Sequence, residues 1–167
     1  MEPRKITEGV FWVGAIDWDR RLFDSLIPLP DGTSYNAYLI KGTSKTALLD
    51  TVDPTKIEVL MSSLRGVEKI DYVVVRHAEQ DHSGSLPAVL EKYKDAKVVC
   101  NSKCKEFLIE LLHLPENRIT TVADGETLDL GGKTLEFIFT PCVHCPETVS
   151  TFFREDGILF SCDLFGS

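Results

Sequence analysis

The order of strand and helix signals predicts an α/β fold, a mixed β-sheet with flanking helices. Three observations carry that expectation. Residues 71–84, DYVVVRHAEQDHSG, run from a short apolar strand (Tyr72, Val73, Val74, Val75) into a loop dense in acids and histidines. A helix follows, on which Leu86, Val89, Leu90 and Tyr93 recur at helical spacing. The elements as a whole follow the order βββαβαβα and then several further strands, which requires a mixed rather than an all-parallel sheet. Two tight turns, Gly131-Gly132 and Asp156-Gly157, join strand pairs near the end of the chain.

Taken in order, residues 10–16 (VFWVGAI) read as the first strand, and the charged, proline-containing stretch 17–30 reads as a loop. Residues 35–41 (YNAYLIK) and 45–50 (KTALLD) read as a hairpin closed by Gly42-Thr43-Ser44. Asp53-Pro54 carries a helix-start signature, an N-cap carboxylate followed by proline at the first helical position. Ile57, Leu60, Met61 and Leu64 then form one apolar stripe. Beyond the 71–93 unit, residues 96–100 read as a strand, and Ser102 is a candidate cap for a helix ending near His113. His113 belongs at that helix end as a partner of its dipole rather than as a ligand. Short strands are expected at 119–122, 127–130, 133–140, 148–154 and 158–162. Repeats, low-complexity stretches and linkers are not evident, so a single domain over residues 1–167 is expected. The sequence stops at Ser167, straight after a strand whose end carries the acidic Asp163, which reads as a fragment of a longer protein.

Composition narrows the function. Hydrophobic residues make up 43% and charged residues 26% of the 167, which suits a globular fold with a real core. A net charge of −8 argues against nucleic acid, whose phosphates demand a basic face, and against anionic membrane surfaces. The first ten residues, MEPRKITEGV, lack the apolar core of a signal peptide. Five cysteines suit a reducing, cytoplasmic setting better than a disulfide framework.

Candidate chemistry concentrates in six residues. His77, Glu79, Asp81 and His82 lie within one loop, and His144 and Asp163 each follow an apolar strand. Extended backbone sends alternate side chains to one face, so His77, Glu79 and Asp81 can address a common point, with His82 at the start of the helix. A structural zinc needs four ligands, usually with cysteine among them. Six nitrogen and oxygen donors, three of them carboxylates, suit instead two metals about 3.5–4 Å apart that share a carboxylate. Imidazole with carboxylate is compatible with iron, manganese or zinc. Blander readings exist: a polar surface turn for HAEQDH, a satisfied loop histidine for His144, a helix N-cap for Asp163. Cys142 and Cys145 flank His144 and read as small space-filling residues rather than a redox or metal pair. Cys100, Cys104 and Cys162 read as packing.

HAEQDH resembles the H-x-H-x-D-H motif of the metallo-β-lactamase superfamily, with Glu79 in place of the second histidine. In that form, H-x-E-x-D-H, it is similar to the motif of the flavodiiron proteins, or A-type flavoproteins. Further matches are Trp18-Asp19, GTSYNAYLI at 32–40, DHSGSLP at 81–87, TPxxHxPET at 140–148 and GILFSCDLFG at 157–166. The resemblance implies an αββα fold of which this chain holds the N-terminal portion. It implies that His77, Glu79 and His144 bind one iron and Asp81 the second, with Asp163 bridging. His82 matches a position that ligates the second iron in some members and turns away in others. Asp50 matches a carboxylate that orients the ligand loop without touching metal.

The implied activity is reduction of oxygen to water or of nitric oxide to nitrous oxide, by two irons fed through FMN. The implied assembly is a homodimer or dimer of dimers. The implied electron donor is rubredoxin, F420 or a flavin/NADH reductase. The chain departs from the family pattern at Arg76, where asparagine is usual, at Gln80, where proline is usual, and at Cys142 and Cys145, where tryptophans are frequent. A further histidine for the second iron and the flavodoxin-like FMN domain lie outside this sequence. Two other readings stay open: a dizinc hydrolase of thioesters, phosphodiesters or lactams, against which Glu79 speaks, and a di-iron oxygen sensor.

Overall fold

In the computed structural model, which describes residues 3–23 and 25–165, two sheets stack face to face and helices cover one outer side. The strands are β1 (Arg4–Thr7), β2 (Val10–Trp12), β3 (Ala15–Asp17), β4 (Leu22–Phe23), β5 (Ile27–Pro28), β6 (Thr33–Tyr35), β7 (Tyr38–Lys41) and β8 (Thr46–Leu49). They continue as β9 (Tyr72–Val74), β10 (Lys97–Cys100), β11 (Ile119–Thr121), β12 (Thr127–Asp129), β13 (Thr134–Phe139), β14 (Val149–Phe153) and β15 (Ile158–Phe160). The helices are α1 (Ile57–Ser63), α2 (Gln80–Ser83), α3 (Leu86–Lys92) and α4 (Ser102–Leu112).

The larger sheet has the order β1-β2-β7-β8-β9-β10-β11. It is antiparallel from β1 to β8 and parallel from β8 to β11, the mixed sheet that the element order predicts. The second sheet is the antiparallel meander β12-β13-β14-β15.

Strand periodicity builds both cores. Leu39, Leu48, Val73 and Val98 face the helices, where they meet Leu60, Leu64, Leu86, Val89 and Leu108. Their neighbours Ile40, Leu49, Val74 and Val99 face the second sheet and meet Leu135, Phe137, Val149 and Phe153. A strand buried on both sides reads as an unbroken apolar run, which is why 72–75 and 97–100 carry no polar alternation. Among the described residues no helix covers the far face of the second sheet, where Ile138 and Leu159 are exposed.

Several boundaries differ from expectation. The single strand expected over 10–16 breaks after Trp12, and β3 leaves the large sheet to pair with β6. The break falls at Gly14, where a Cβ would lie 2.0 Å from the Tyr35 carbonyl oxygen. For the same reason 35–41 is split between β6 and β7. The expected loop 17–30 contains the hairpin β4–β5, although Asp24 is outside the described residues, as is Gly166 of the 157–166 match. Asn101, not Ser102, caps α4: its side chain accepts from the Cys104 amide at 2.7 Å. The expected start at Asp53 holds, the carboxylate accepting from the Thr55 amide ahead of a short 3-10 turn into α1.

Candidate metal centre

The carboxyl end of β9 opens onto the site because the chain there is pinned from both sides. Val75 N–H donates to the Val99 carbonyl and the Asp50 amide donates to the Val74 carbonyl. Arg76 then bonds Asp50 three times, through its backbone N–H (2.8 Å), Nε (3.0 Å) and Nη2 (2.7 Å). Both residues are fully buried, and Asp50 holds a left-handed φ of 55° at the end of β8. Thr51 donates twice to the His82 carbonyl, by amide and hydroxyl, and Ser83 Oγ donates to the Ala78 carbonyl. The loop 76–83 therefore has little freedom to re-aim its side chains.

Two groups of donors result. In the first, His77 Nε2 lies 3.1 Å from Glu79 Oε2, and His144 Nε2 lies 3.6 Å from the same oxygen. In the second, His82 Nε2 lies 3.5 Å from Asp81 Oδ2. Asp163 stands between them. Its Oδ1 is 2.8 Å from His82 Nε2, and its Oδ2 is 3.3 Å from His144 Nε2 and 3.8 Å from His77 Nε2. One carboxylate thus offers one oxygen to each group.

The far ring nitrogens are held by carboxylates. His77 Nδ1 is 2.6 Å from Glu147 Oε1, which also accepts from the Ala78 amide. His82 Nδ1 is 2.9 Å from Asp50 Oδ2. Glu147 is set in turn by Asn101, whose Nδ2 donates to its carbonyl, and by the Val149 amide, which ties the 140–148 loop to the Arg76 carbonyl. A carboxylate on one imidazole nitrogen leaves the other as the free lone pair, the arrangement of a metal-binding histidine.

The electrostatics agree. Burial would lower the basicity of His77, but the bond to Glu147, the Glu147 charge and Glu79 together outweigh it and the net direction is upward. Burial likewise opposes His82, and Asp163 and Asp50 together raise it well above an ordinary histidine. Burial, reinforced by Asp163, pushes Asp81 up despite His82. Burial also opposes Asp50 and Asp163, yet Arg76 holds the first and His82 the second below the usual carboxylate range. Anionic groups crowded in a desolvated space draw positive charge, as protons or as cations.

The residues fit a pair of ions. Donors about 2.0–2.2 Å from one ion sit roughly 3–3.6 Å apart at tetrahedral or octahedral angles, and the separations above fall in or near that window. His77 Nε2 and Asp81 Oδ1 are buried with no hydrogen-bond partner, which natural proteins rarely tolerate without a reason. An open cavity of ≈520 Å³, lined in part by Glu79, Asp81, His144 and Asp163, gives access.

The fold brings all six expected side chains into one region, but not as alternation requires. Glu79 is the N-cap of α2, so Asp81 and His82 are helical, and helix geometry turns Asp81 away from the His77–Glu79 point toward His82. His82 directs Nε2 into the site. Glu147 was missed as the partner of His77, although it stands within the TPxxHxPET match; the signal was the need of a buried histidine for a carboxylate. Arg76 as the clamp on Asp50 left no sequence signal. Cys162 is not simple packing: it has a left-handed φ of 56° and its Sγ is 3.9 Å from His82 Nδ1. Cys145 groups with His77, Glu79 and His144. His113 is the left-handed C-cap of α4 and stands apart from the site.

Comparison with known proteins yields consistent matches. The family described as ODP family beta lactamase matches residues 33–167. The coenzyme F420H2 oxidase of Methanothermobacter marburgensis is 39% identical over 172 aligned residues, covering 98% of this chain and 42% of that protein. The nitric oxide reductase of Moorella thermoacetica is 39% identical, covering 99% of this chain and 42% of that protein. The crystal structure of the flavodiiron protein from Giardia intestinalis superposes with a TM-score of 0.90 at 36% identity, covering 96% of this chain and 40% of that one. The chain thus spans about two fifths of the length of the relatives it matches.

Proposed function

Since the chain belongs to the ODP family of β-lactamase-fold domains, we propose that it is the metal-binding part of a flavodiiron-type oxidoreductase, reducing oxygen to water or nitric oxide to nitrous oxide. The observation that carries this reading is Asp163, whose two oxygens face two separate histidine groups. His77, Glu79 and His144 would hold one iron and Asp81 and His82 the second, with Asp163 placed to serve both. Glu147 and Asp50 orient the two buried histidines, and Arg76 fixes Asp50. A pair of irons at this site would supply redox-active centres with open coordination positions for the gas, and the electrons for the reduction would reach them through FMN.

The protein's own contribution is placement and desolvation. Burial of His77 and His82, each locked by a carboxylate, removes the rotameric search that would accompany binding. The acidic surroundings favour a higher metal charge, which suits a centre that cycles between oxidation states. The names of the relatives, a rubredoxin-oxygen oxidoreductase among them, support oxygen or nitric oxide as substrate and F420H2 or rubredoxin as donor; a flavin/NADH reductase is the other candidate donor. FMN is delivered by a region outside residues 1–167, which act as one domain. A homodimer or dimer of dimers, in the cytoplasm, completes the proposal. Among the described residues no helix is long and apolar enough to cross a membrane.

The test is anaerobic reconstitution with ferrous iron, then oxygen and nitric oxide consumption by the full-length protein with reduced FMN. Two irons per chain and turnover of either gas are expected. Zinc bound by the protein as purified, with hydrolysis of a phosphodiester or thioester and no gas uptake, would replace this reading with the hydrolase. Iron binding with gas uptake that stops after one turnover would point to the sensor.

A further inference from the structure

The side chains around the first group number one more than the reading above uses. One donor atom each from His77, Glu79, His144 and Cys145 all lie within 4.8 Å of one another. We propose that Cys145 supplies a thiolate to the metal held by His77, Glu79 and His144, making, with the shared Asp163 oxygen, a site of two nitrogens, two oxygens and one sulfur. This rests on the metal reading given under Proposed function and adds a ligand to it.

Three features beyond proximity support the assignment. His77 Nε2 is buried, has no hydrogen-bond partner and belongs to the same set, so the set is built around a donor that a metal would satisfy. The backbone of Cys145 is held on both sides: its amide donates to Thr148 Oγ1 at 3.1 Å, and its carbonyl accepts from the Cys142 and Thr148 amides. That fixes the position from which the side chain leaves the chain. Finally, Cys145 lines one cavity with His77, Glu79 and Glu147, whose remaining wall is largely apolar, with Phe107, Leu111 and Pro146. A polarisable, weakly hydrogen-bonding sulfur is suited to that boundary.

The chemistry balances simply. Metal–sulfur and metal–nitrogen bonds of about 2.3 and 2.0–2.1 Å put donors roughly 3.6 Å apart at a tetrahedral ion. As the metal–sulfur bond forms, the thiol proton leaves to solvent and no electron is transferred. A thiolate in the set biases the site toward zinc, iron or cobalt and away from magnesium, calcium or manganese. Cys142 is exposed and lies outside the set, and Cys162 lies instead beside Asp50 and His82, on the Nδ1 side of that ring.

Cobalt(II) titration of the reduced protein tests the assignment, because a cobalt–thiolate bond has an intense near-ultraviolet charge-transfer band that nitrogen and oxygen ligands lack. The band is expected with the first equivalent of cobalt, lost in Cys145→Ser and kept in Cys142→Ser and Cys162→Ser. Cys145→Ser should still bind cobalt, with weak visible bands only. Cobalt binding without the band in the wild type, or a band that survives Cys145→Ser, overturns the thiolate and leaves the metal reading standing. Absence of cobalt binding in the wild type overturns both. Should Cys145→Ser fail to fold, alkylation of the wild type read by mass spectrometry decides: cobalt should shield Cys145 and leave Cys142 reactive. Equal labelling of Cys145 with and without cobalt overturns the proposal.

Discussion

Arg76→Met is the most informative single change, because it removes the cation from a pair that has no water to fall back on. Arg76 is 1% exposed and Asp50 0%. The substitution deletes the Nε and Nη2 bonds at 3.0 and 2.7 Å but leaves the Arg76 backbone N–H and the His82 ring on Asp50. Breaking a buried ion pair from one side costs about 3–5 kcal/mol, since the remaining charge stays buried and uncompensated. Two surviving partners place this case at the lower end, about 3 kcal/mol. At about 2–4 °C per kcal/mol for a chain of this size, the metal-free protein should melt about 6–12 °C lower.

Urea unfolding of metal-free Arg76→Met, Asp50→Asn and the double variant measures it. The double variant should be less destabilised than the sum of the singles, because each single strands the partner that the double removes. A loss below about 1 kcal/mol in Arg76→Met, or strict additivity, would refute the claim that the pair acts as one buried unit.

Glu147→Gln keeps shape but weakens the acceptor on His77 Nδ1; metal affinity at the first group should fall about 10–100-fold in chelator competition, with the second group less affected. Asp71 supplies a pH-dependent term. Burial pushes its carboxyl up, but Lys69, the Thr46 amide and Lys45 outweigh that and leave it below the ordinary range. Its contribution is therefore complete above the unfolded pKa of about 3.9 and disappears as pH falls through the lower folded value. Asp71→Asn should flatten the stability-versus-pH curve in that window, and an unchanged curve would refute it. Phe137→Ala empties the centre of the layer between the sheets, where Phe137 is 1% exposed; a loss of about 3–5 kcal/mol is expected in urea unfolding, and a loss under about 1 kcal/mol would mean the layer is not a packed core.

How far the sequence could be read depended on the range of the interaction. The helix start at Asp53, the Gly131-Gly132 turn and the doubly buried strands β9 and β10 are written in neighbouring residues, and each lies where the pattern puts it. Strands β3 and β6 were misread because Gly14 meets the Tyr35 carbonyl, an approach of segments far apart in the chain. At the site, residue types and loop positions pointed to His77, Glu79, Asp81, His82, His144 and Asp163. The resemblance implied the division into two groups; what alternation misplaced was Asp81, because Glu79 ends the extended stretch and α2 turns Asp81 toward His82.

The sequence by itself determined which elements form and which side chains can donate to a metal, because periodicity, turn chemistry and ligand type are local properties. Only the tertiary structure decided that carboxylates hold His77 and His82 at Nδ1, that Arg76 backs Asp50, and that Cys145 stands beside His77, Glu79 and His144. Those outcomes are set by contacts across tens of residues, such as the Glu147–His77 and Arg76–Asp50 bonds, and by the loss of water around them. Desolvation makes such bonds selective, and it does not exist until the two sheets and the helices have closed over them.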